Sequence, residues 1–456
     1  MQRLSYAGMV MMLVAAWIAF PESLTAVAWC GLGLVSAVAA KHLATKELRY
    51  QAVFLALISV IRVLAINLGS TVKFHGVTMR LLTIGIVVVL LYVTSRRTGD
   101  DTKTWSFEKI SGASYTWAAS FLLALLVWYE LQPVGVADAW IVLGLTWLEV
   151  GITRRSLSLR LQSYVAFSAG FVRIFFVNLN AAGPLGAISP RFYTVVPIAL
   201  ALFYAYWRLH QAESELAPRE KSLHAADLCC WLGTISVGSL MRFELEADWV
   251  AAAWAGLAFA LVAIAWRSGR RVFLYQGLLV VGGVLFRTVL HNFYQRSYFP
   301  APLWESRWLT VGVTVAMLLA ALPIAFQMRR TDEAANDVGL VRLLHSLGRH
   351  PEQIFFFTAI GILTVLLALE MRHGMVTLSW GVEGLAVFLL ALWLGERSFR
   401  LTGLGLLLLC VGKILVDDVW RLNPRDRYLT FIVLGGALLL VSFLYSRNRE
   451  TLRRYL

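Results

Sequence analysis

The stretch FVRIFFVNLN, residues 171–180, decides the reading of the fold. It is apolar on both sides of Arg173, and an arginine at the centre of a membrane helix costs about 2.5–3.5 kcal/mol on insertion scales. The same chain holds three relatives of this stretch: VIRVLAINLG from Val60, LFRTVLHNFY from Leu285 and VGKILVDDVW from Val411. Each has a base in third place and Asn or Asp in eighth. A costly residue that recurs in register points to an internal repeat and to a partner for the base.

The surroundings are membrane-like. The chain has 456 residues, of which 59% are hydrophobic and 15% charged, and a soluble domain would carry about 25% charge. Mean hydropathy is +0.69. Apolar runs approach the twenty or so residues that cross a bilayer as a helix. The net charge of +14 does not ask for nucleic acid, because cytoplasmic loops of membrane proteins are enriched in Lys and Arg. Residues 6–20 have the basic flank and short apolar core of a signal peptide, but they fill the slot of a first helix in the repeat.

Aligning the four stretches brings other positions into line. A tryptophan stands 33 residues before each base: Trp29, Trp140, Trp254 and Trp380. Ten residues before that tryptophan come Glu130, Glu244 and Glu370, with Ala19 in the first copy. Twenty after it come Arg49, Arg160 and Arg400, with Leu274 in the third copy, then Gln51, Gln162, Gln276 and Thr402 two residues on. An arginine opens the last apolar segment of each copy: Arg80, Arg191, Arg307 and Arg427. Each copy thus holds four apolar segments, here called a, b, c and d. The expectation is an all-α polytopic membrane protein with sixteen transmembrane helices in four parallel repeats: 1–98, 99–211, 212–330 and 331–456. The connector sequence VGLVRLLHSLG, 338–348, is expected to form a surface amphipathic helix.

Loop charge sets an expected orientation. The b–c loops (KHLATKELR, TRRSLSLR, RSGRR, GERSFR) are basic, and the a–b loops (FPESLT, LQPVGVAD, ELEAD) are poorer in bases. Positive-inside then puts both termini in the cytoplasm. The end of a, the start of b, the end of c and the start of d share the outer side. Glu130, Glu244 and Glu370 are there to pair with the bases, so that Arg173 pairs with Glu130 and Arg287 with Glu244, while Arg191 and Arg307 join the same structural cluster. The base and the Asn, five residues apart, lie about 140° apart on an α-helix, which suits a C-cap role for the Asn.

The fourth repeat departs from the pattern. Lys413 replaces Arg, Asp417 and Asp418 replace the Asn, and Glu383 stands three residues after Trp380 where the other copies have Leu32, Leu143 and Leu257. Ionisable groups inside a membrane are functional candidates. Glu370, Arg372, Glu383, Lys413, Asp418 and Arg427 are the candidate ligand-binding residues, with Lys413 or Arg427 expected to hold Glu383.

At this end the chain resembles a known family. The segment 400–447 is similar to the end of the bacterial predicted-membrane-protein family catalogued as domain of unknown function 2339, which has a Lys followed by an acid, then an Arg opening a last apolar helix with a Gly pair and an aromatic-rich end. Lys413, Asp417 or Asp418, Arg427, Gly435, Gly436 and Tyr445 match. Many members are longer, with a soluble coiled N-terminal part not seen in this sequence. The resemblance implies a bacterial inner-membrane protein and brings no activity with it.

Three functions are compatible with this pattern. One is binding or transport of an anionic or lipid-linked envelope molecule, such as a lipid-linked glycan, through the base-rich outer cluster. Another is a structural or assembly scaffold that meets other membrane proteins. The third is an envelope transferase built on Glu370, Glu383, His373 and Asp418. There is no H-E-x-x-H, G-x-S-x-G or Walker sequence, so the motifs do not ask for an enzyme. No metal or cofactor is expected: the eight histidines show no i, i+4 pair, and Cys30, Cys229, Cys230 and Cys410 lie in apolar segments without zinc spacing. The partners expected are the lipid bilayer, anionic lipid and other membrane proteins, and no nucleic acid.

Overall fold

A computed structural model describes residues 2–43, 45–98, 107–181, 189–294, 306–329, 347–371, 373–418 and 424–447. Most of the connector sequence 338–348 lies outside them. The described chain is overwhelmingly helical, and its contacts divide it into two compact units, Met1–Leu240 and Met241–Leu456.

In the first unit the a, b, c and d positions are taken by α1 (Gln2–Ala19), α2 (Thr25–Leu43), α3 (Lys46–Ala65) and α4 (Met79–Thr98), then by α5 (Phe107–Glu130), α6 (Gly135–Thr153), α7 (Leu157–Arg173) and α8 (Pro190–Gln211). A short α9 (Pro218–Ser222) follows, and α10 (Ala225–Glu244) leads into the second unit. That unit contains α11 (Val250–Ser268), α12 (Arg271–Arg287), α13 (Arg307–Ala320) with its continuation α14 (Leu322–Gln327), α15 (Pro351–Glu370), α16 (His373–Leu394), α17 (Arg397–Lys413) and α18 (Pro424–Arg447).

Among the described residues, twelve helices are long and apolar enough to cross a membrane, where the sequence leads one to expect sixteen. The four remaining register positions are also helical, as α1, α7, α10 and α18; the described apolar stretches of α1 and α18 are Leu4–Ala19 and Phe431–Phe443, and α7 and α10 are more polar. Arg160, Gln162 and Arg173 lower the apolarity of α7, and Asp227, Arg242 and Glu244 that of α10.

Packing follows one scheme. Helix b lies against c and d: α2 on α3 and α4, α6 on α7 and α8, α11 on α12 and α13, α16 on α17 and α18. Helix d then meets the a helix that follows it, α4 against α5 and α13 against α15. In the first unit this brings Ala26, Cys30, Val63, Ile84, Val87, Leu91, Tyr115 and Leu122 into one core. In the second, Phe388, Leu407, Cys410, Ile414 and Leu434 form another, and the ring of Phe356 stacks on Phe399 at 3.6 Å.

Small residues seam each b–c pair. Four residues after the recurring tryptophan stand Gly33, Gly144, Ala258 and Gly384, a regularity visible once the helices are seen to touch there. Without a hydrophobic drive between helices in lipid, close backbone approach is a main source of association energy. A Cβ on Gly144 would sit 2.7 Å from the Phe167 ring, and one on Gly403 would sit 2.8 Å from Phe388 N and 2.9 Å from Gly384 O. The b–c turns of the second unit close through glycines with left-handed backbone, Gly269 (φ 69°) and Gly395 (φ 73°), which ends a helix without Cβ strain.

This seam makes a prediction. Gly403→Ala puts a methyl against backbone that cannot move aside, and should cost at least the ~1–3 kcal/mol of ordinary overpacking. Gly405→Ala, with nothing within 4 Å, should leave stability unchanged. Thermal unfolding of both purified variants checks this, and equal melting would show that the seam is loose.

Candidate polar cluster at the turns between helices a and b

In the first three copies the recurring base is seated on a backbone carbonyl. Arg62 Nη2 donates to the Glu22 carbonyl at 3.3 Å, Arg173 Nη2 to Pro133 at 3.0 Å and Arg287 Nη2 to Ala247 at 2.8 Å. In each case the acceptor lies 40 residues before the base, in the turn that precedes helix b. The recurring Asn takes the next carbonyl. Asn67 Nδ2 donates to Ser23 at 2.7 Å, Asn178 Nδ2 to Val134 at 2.9 Å and Asn292 Nδ2 to Asp248 at 3.0 Å. So two consecutive turn carbonyls, which no helix can satisfy, are held by one guanidinium and one amide.

The end of helix c is shaped to bring both groups to one place. Residues 174–178 and 288–294 are π-helical and begin directly after Arg173 and Arg287, while 67–69 form a 3₁₀ turn in the first copy. With i→i+5 bonding, residues five apart sit nearly one above the other, not about 140° apart as in an α-helix. The C-cap role expected for the Asn is therefore replaced by a tertiary one. Behind it, Asn67 Nδ2 also reaches Thr83 Oγ1 at 3.0 Å, and Asn292 Nδ2 reaches Thr310 Oγ1 at 3.5 Å. A threonine stands three residues after the arginine of helix d in all four copies: Thr83, Thr194, Thr310 and Thr430. That signal is in the sequence but has no meaning until the contact is seen.

The tryptophan completes the arrangement. Trp29 Nε1 donates to Leu13 O, Trp140 Nε1 to Ala124 O and Trp380 Nε1 to Thr364 O, each 16 residues back on helix a, at 3.1, 3.0 and 2.9 Å. Its ring faces the base. The Arg62 guanidinium lies 5.2 Å from the Trp29 ring, and that of Arg173 lies 5.7 Å from Trp140 and 4.1 Å from Trp128. A desolvated cation–π contact contributes up to ~2 kcal/mol. The spacing of 33 residues between Trp and base is the chain length that brings the two together.

The carboxylates have a different partner from the one expected. Arg80 Nε donates to Glu130 Oε1 at 2.9 Å, Nη1 to Leu68 O at 3.2 Å and Nη2 to Tyr129 O at 3.0 Å. Arg307 repeats this, with Nε on Asn292 O at 3.0 Å and Nη1 on Glu370 Oε1 at 3.1 Å. The arginine of helix d thus joins the end of its own helix c to the end of the following helix a. The expected Arg173–Glu130 pair is replaced by Arg80–Glu130, and Arg287 goes to the Ala247 carbonyl. Arg191, in α8, and Glu244, at the end of α10, hold the same register positions. The first a helix, which follows no d helix in this sequence, carries Ala19.

The fourth copy is built differently. Helix α16 begins at His373, seven residues before Trp380, whereas α2, α6 and α11 begin four or five residues before theirs. The carbonyl 40 residues before the base is that of His373, inside the helix. Lys413 Nζ donates to Thr377 Oγ1 at 3.0 Å. Glu383 is buried, 6% exposed; its Oε1 accepts from Thr364 Oγ1 at 2.9 Å, and its Oε2 is buried with no hydrogen-bond partner among the described residues. Of the six candidates, Glu370 is engaged by Arg307, and Lys413 and Glu383 lie on the facing helices α17 and α16. Arg372 and the side chains of Asp418 and Arg427 lie outside the described residues.

The opposite ends of the helices hold a separate buried pair. Arg160 meets Glu220 through two bonds, Nε to Oε1 at 2.9 Å and Nη2 to Oε2 at 2.7 Å, with both side chains 3% exposed. Tyr164 and the Ala217 N–H also donate to this carboxylate. Burial works to raise its pKa, but the bonds from Arg160, Ala217 and Tyr164 outweigh it and hold Glu220 below the ordinary carboxylate range. A depressed folded value means stability that is present above the unfolded value, about 4.3, and lost as pH falls through the folded one. Glu220→Gln should therefore flatten the acid limb of the melting-temperature profile; an unchanged limb would remove the pair from the account.

The revised pairing can be measured. Arg80→Ala should destabilise the protein by about 1.5–3 kcal/mol by removing the charged partner of the half-buried Glu130, to which Thr78 still donates, and much of this should return in Arg80→Ala/Glu130→Leu. A double-mutant cycle between Arg173 and Glu130 should give a much smaller coupling than that between Arg80 and Glu130. The reverse order would restore pairing within one copy.

Searches among curated proteins and among solved structures give no match to this chain. A family model does match, over residues 1–448, and is described as predicted membrane protein, domain of unknown function 2339. The resemblance at 400–447 thus extends over nearly the whole chain, and the protein belongs to this family of multi-pass membrane proteins.

Proposed function

We propose that the chain is a bacterial inner-membrane protein of sixteen spans, arranged as four parallel four-helix repeats with boundaries near 98, 211 and 330, and with both termini in the cytoplasm. In this reading the first three repeats are framework, and the fourth binds a polar envelope molecule, anionic or lipid-linked, at the outward end of its helices. The observation that carries it is the different use of the recurring base. Arg62, Arg173 and Arg287 are seated on turn carbonyls, while Lys413 reaches the Thr377 hydroxyl on α16, the helix that carries the buried Glu383 six residues further on. Glu370, Arg372, Asp418 and Arg427 belong to the same proposed site by register.

The scaffold reading has its own support, because the arrangement in the first three copies is internal and joins helix to helix. The two readings differ over Glu383→Leu, which restores the residue of the other copies. Under the binding reading this variant folds and inserts normally, yet a strain carrying it fails to grow under envelope stress. Wild-type growth with wild-type melting would leave the scaffold as the function.

Orientation is tested separately. In a background without the native cysteines, cysteines placed at 244–248 should react with an impermeant reagent added outside, and one at Ser268 should not. The opposite pattern would place the a–b turns in the cytoplasm.

A further inference from the structure

Comparing the copies position by position shows that the fourth differs from the others at four linked places. Three residues after the tryptophan, Leu32, Leu143 and Leu257 give way to Glu383. Three before it, Ala26, Ala137 and Ala251 give way to Thr377. Sixteen before it, Leu13, Ala124 and Gly238 give way to Thr364. Thirty-three after it, Arg62, Arg173 and Arg287 give way to Lys413.

These four residues come from three helices, α15, α16 and α17, and the structure connects them in pairs. Thr364 Oγ1 donates to Glu383 Oε1 at 2.9 Å, and Lys413 Nζ donates to Thr377 Oγ1 at 3.0 Å. Trp380 Nε1 is bonded to the Thr364 carbonyl at 2.9 Å. Thr377 is 1% exposed and Glu383 6%. The same helix positions therefore carry three small or apolar residues and an arginine in the other copies, and a carboxylate, two hydroxyls and an amine in the fourth.

The chemistry of the replacements has a common direction. A carboxylate inside a membrane is costly as an anion and much less so once protonated. A threonine hydroxyl can donate to a carboxylate, so Glu383 has in Thr364 a neutral partner that does not lock it into an ion pair. If strength alone were needed, Arg with Glu would serve, as it does for Arg307 and Glu370 in the same unit.

We propose that Glu383, hydrogen-bonded by Thr364, is a proton-exchange site within the membrane, with the proton as its ligand. The proton adds to Glu383 Oε2, the oxygen that Thr364 leaves open; one O–H bond forms, the carboxylate becomes a neutral acid, and on release the proton returns to water. On α17, which packs against α16, the charged residue at this end is Lys413, bonded to Thr377. From α15 the facing charge is Glu370, held by Arg307. Arg425, Asp426 and Arg427 are the charged residues at the start of α18, and their side chains lie outside the described residues. This proposal stands apart from the envelope-ligand reading, since proton exchange at Glu383 is measurable with no other ligand present.

The test is infrared difference spectroscopy of the purified full chain in lipid nanodiscs, stepped in pH in H2O and D2O. The wild type should show a deuterium-sensitive band of a protonated carboxyl that titrates, and Glu383→Gln should lack it. Thr364→Val, which keeps the carboxyl and removes its hydrogen bond, should move the midpoint by about one pH unit, a tenfold change in proton affinity. A carboxyl spectrum identical in wild type and Glu383→Gln would overturn the proposal. Should Glu383→Gln fail to fold, an unmoved midpoint in Thr364→Val would overturn it instead.

Discussion

A buried backbone carbonyl with no partner is costly in any folded protein, because burial removes the water that would donate to it. The tight turn between helices a and b creates two of them in succession. The recurring arginine and asparagine exist to answer that cost, and most of the surrounding regularity follows from it. The base must come from the end of helix c and the amide from one turn further on. The helix widens into a π segment, or tightens into a 3₁₀ turn, so that both point at the same turn. The indole covers the cation on its free face. An arginine that looked expensive is thus one neutral-partnered cation closing a loop, not half of an ion pair.

The second arginine, at the start of helix d, works between copies. Glu130 and Glu370 mark the end of an a helix, and each is bonded by the arginine of the d helix before it. The glycine seam holds b to c, the turn carbonyls hold c to the a–b turn, and this ion pair holds one copy to the next. The three contacts act in different directions and use different chemistry. Only the seam is neutral; the turn bonds set a cation against carbonyl dipoles, and for Arg62 and Arg173 an indole ring face as well.

Departure from this scheme is informative because the scheme is so regular. In the fourth copy helix b starts earlier, the carbonyl that would seat the base falls within the helix, and the base becomes a lysine bonded to a threonine. An acid then appears where the others place leucine. Each change taken singly would cost stability. Together they move polar groups from the turn to the interior of the helices, which is where a membrane protein places the groups that exchange protons or bind polar molecules.

The residues by themselves determined the class, the membrane character and the register. Hydrophobic runs, the fixed spacing of Trp29 to Arg62 and of Trp140 to Arg173, and the odd content of 370–427 are all readable as a string. The spacing showed that Trp and base belong to one construction, since equal chain lengths between like residues in like helices place them alike in space. It could not show what each donor reaches. The acceptors of Arg62, Arg173 and Arg287 are main-chain carbonyls, which every residue carries and no sequence pattern distinguishes. Opposite charge suggested Glu130 for Arg173, yet the partner of Glu130 is Arg80 on the preceding d helix, against which helix a packs most extensively, while Arg173 lies over the Trp128 ring of the same helix a. Which helices lie side by side, and so which of several like-charged candidates is within reach, depends on tertiary packing alone. Hydrogen bonds are decided over about 3 Å, a distance far shorter than the helix diameter of ~10 Å that separates one candidate neighbour from the next.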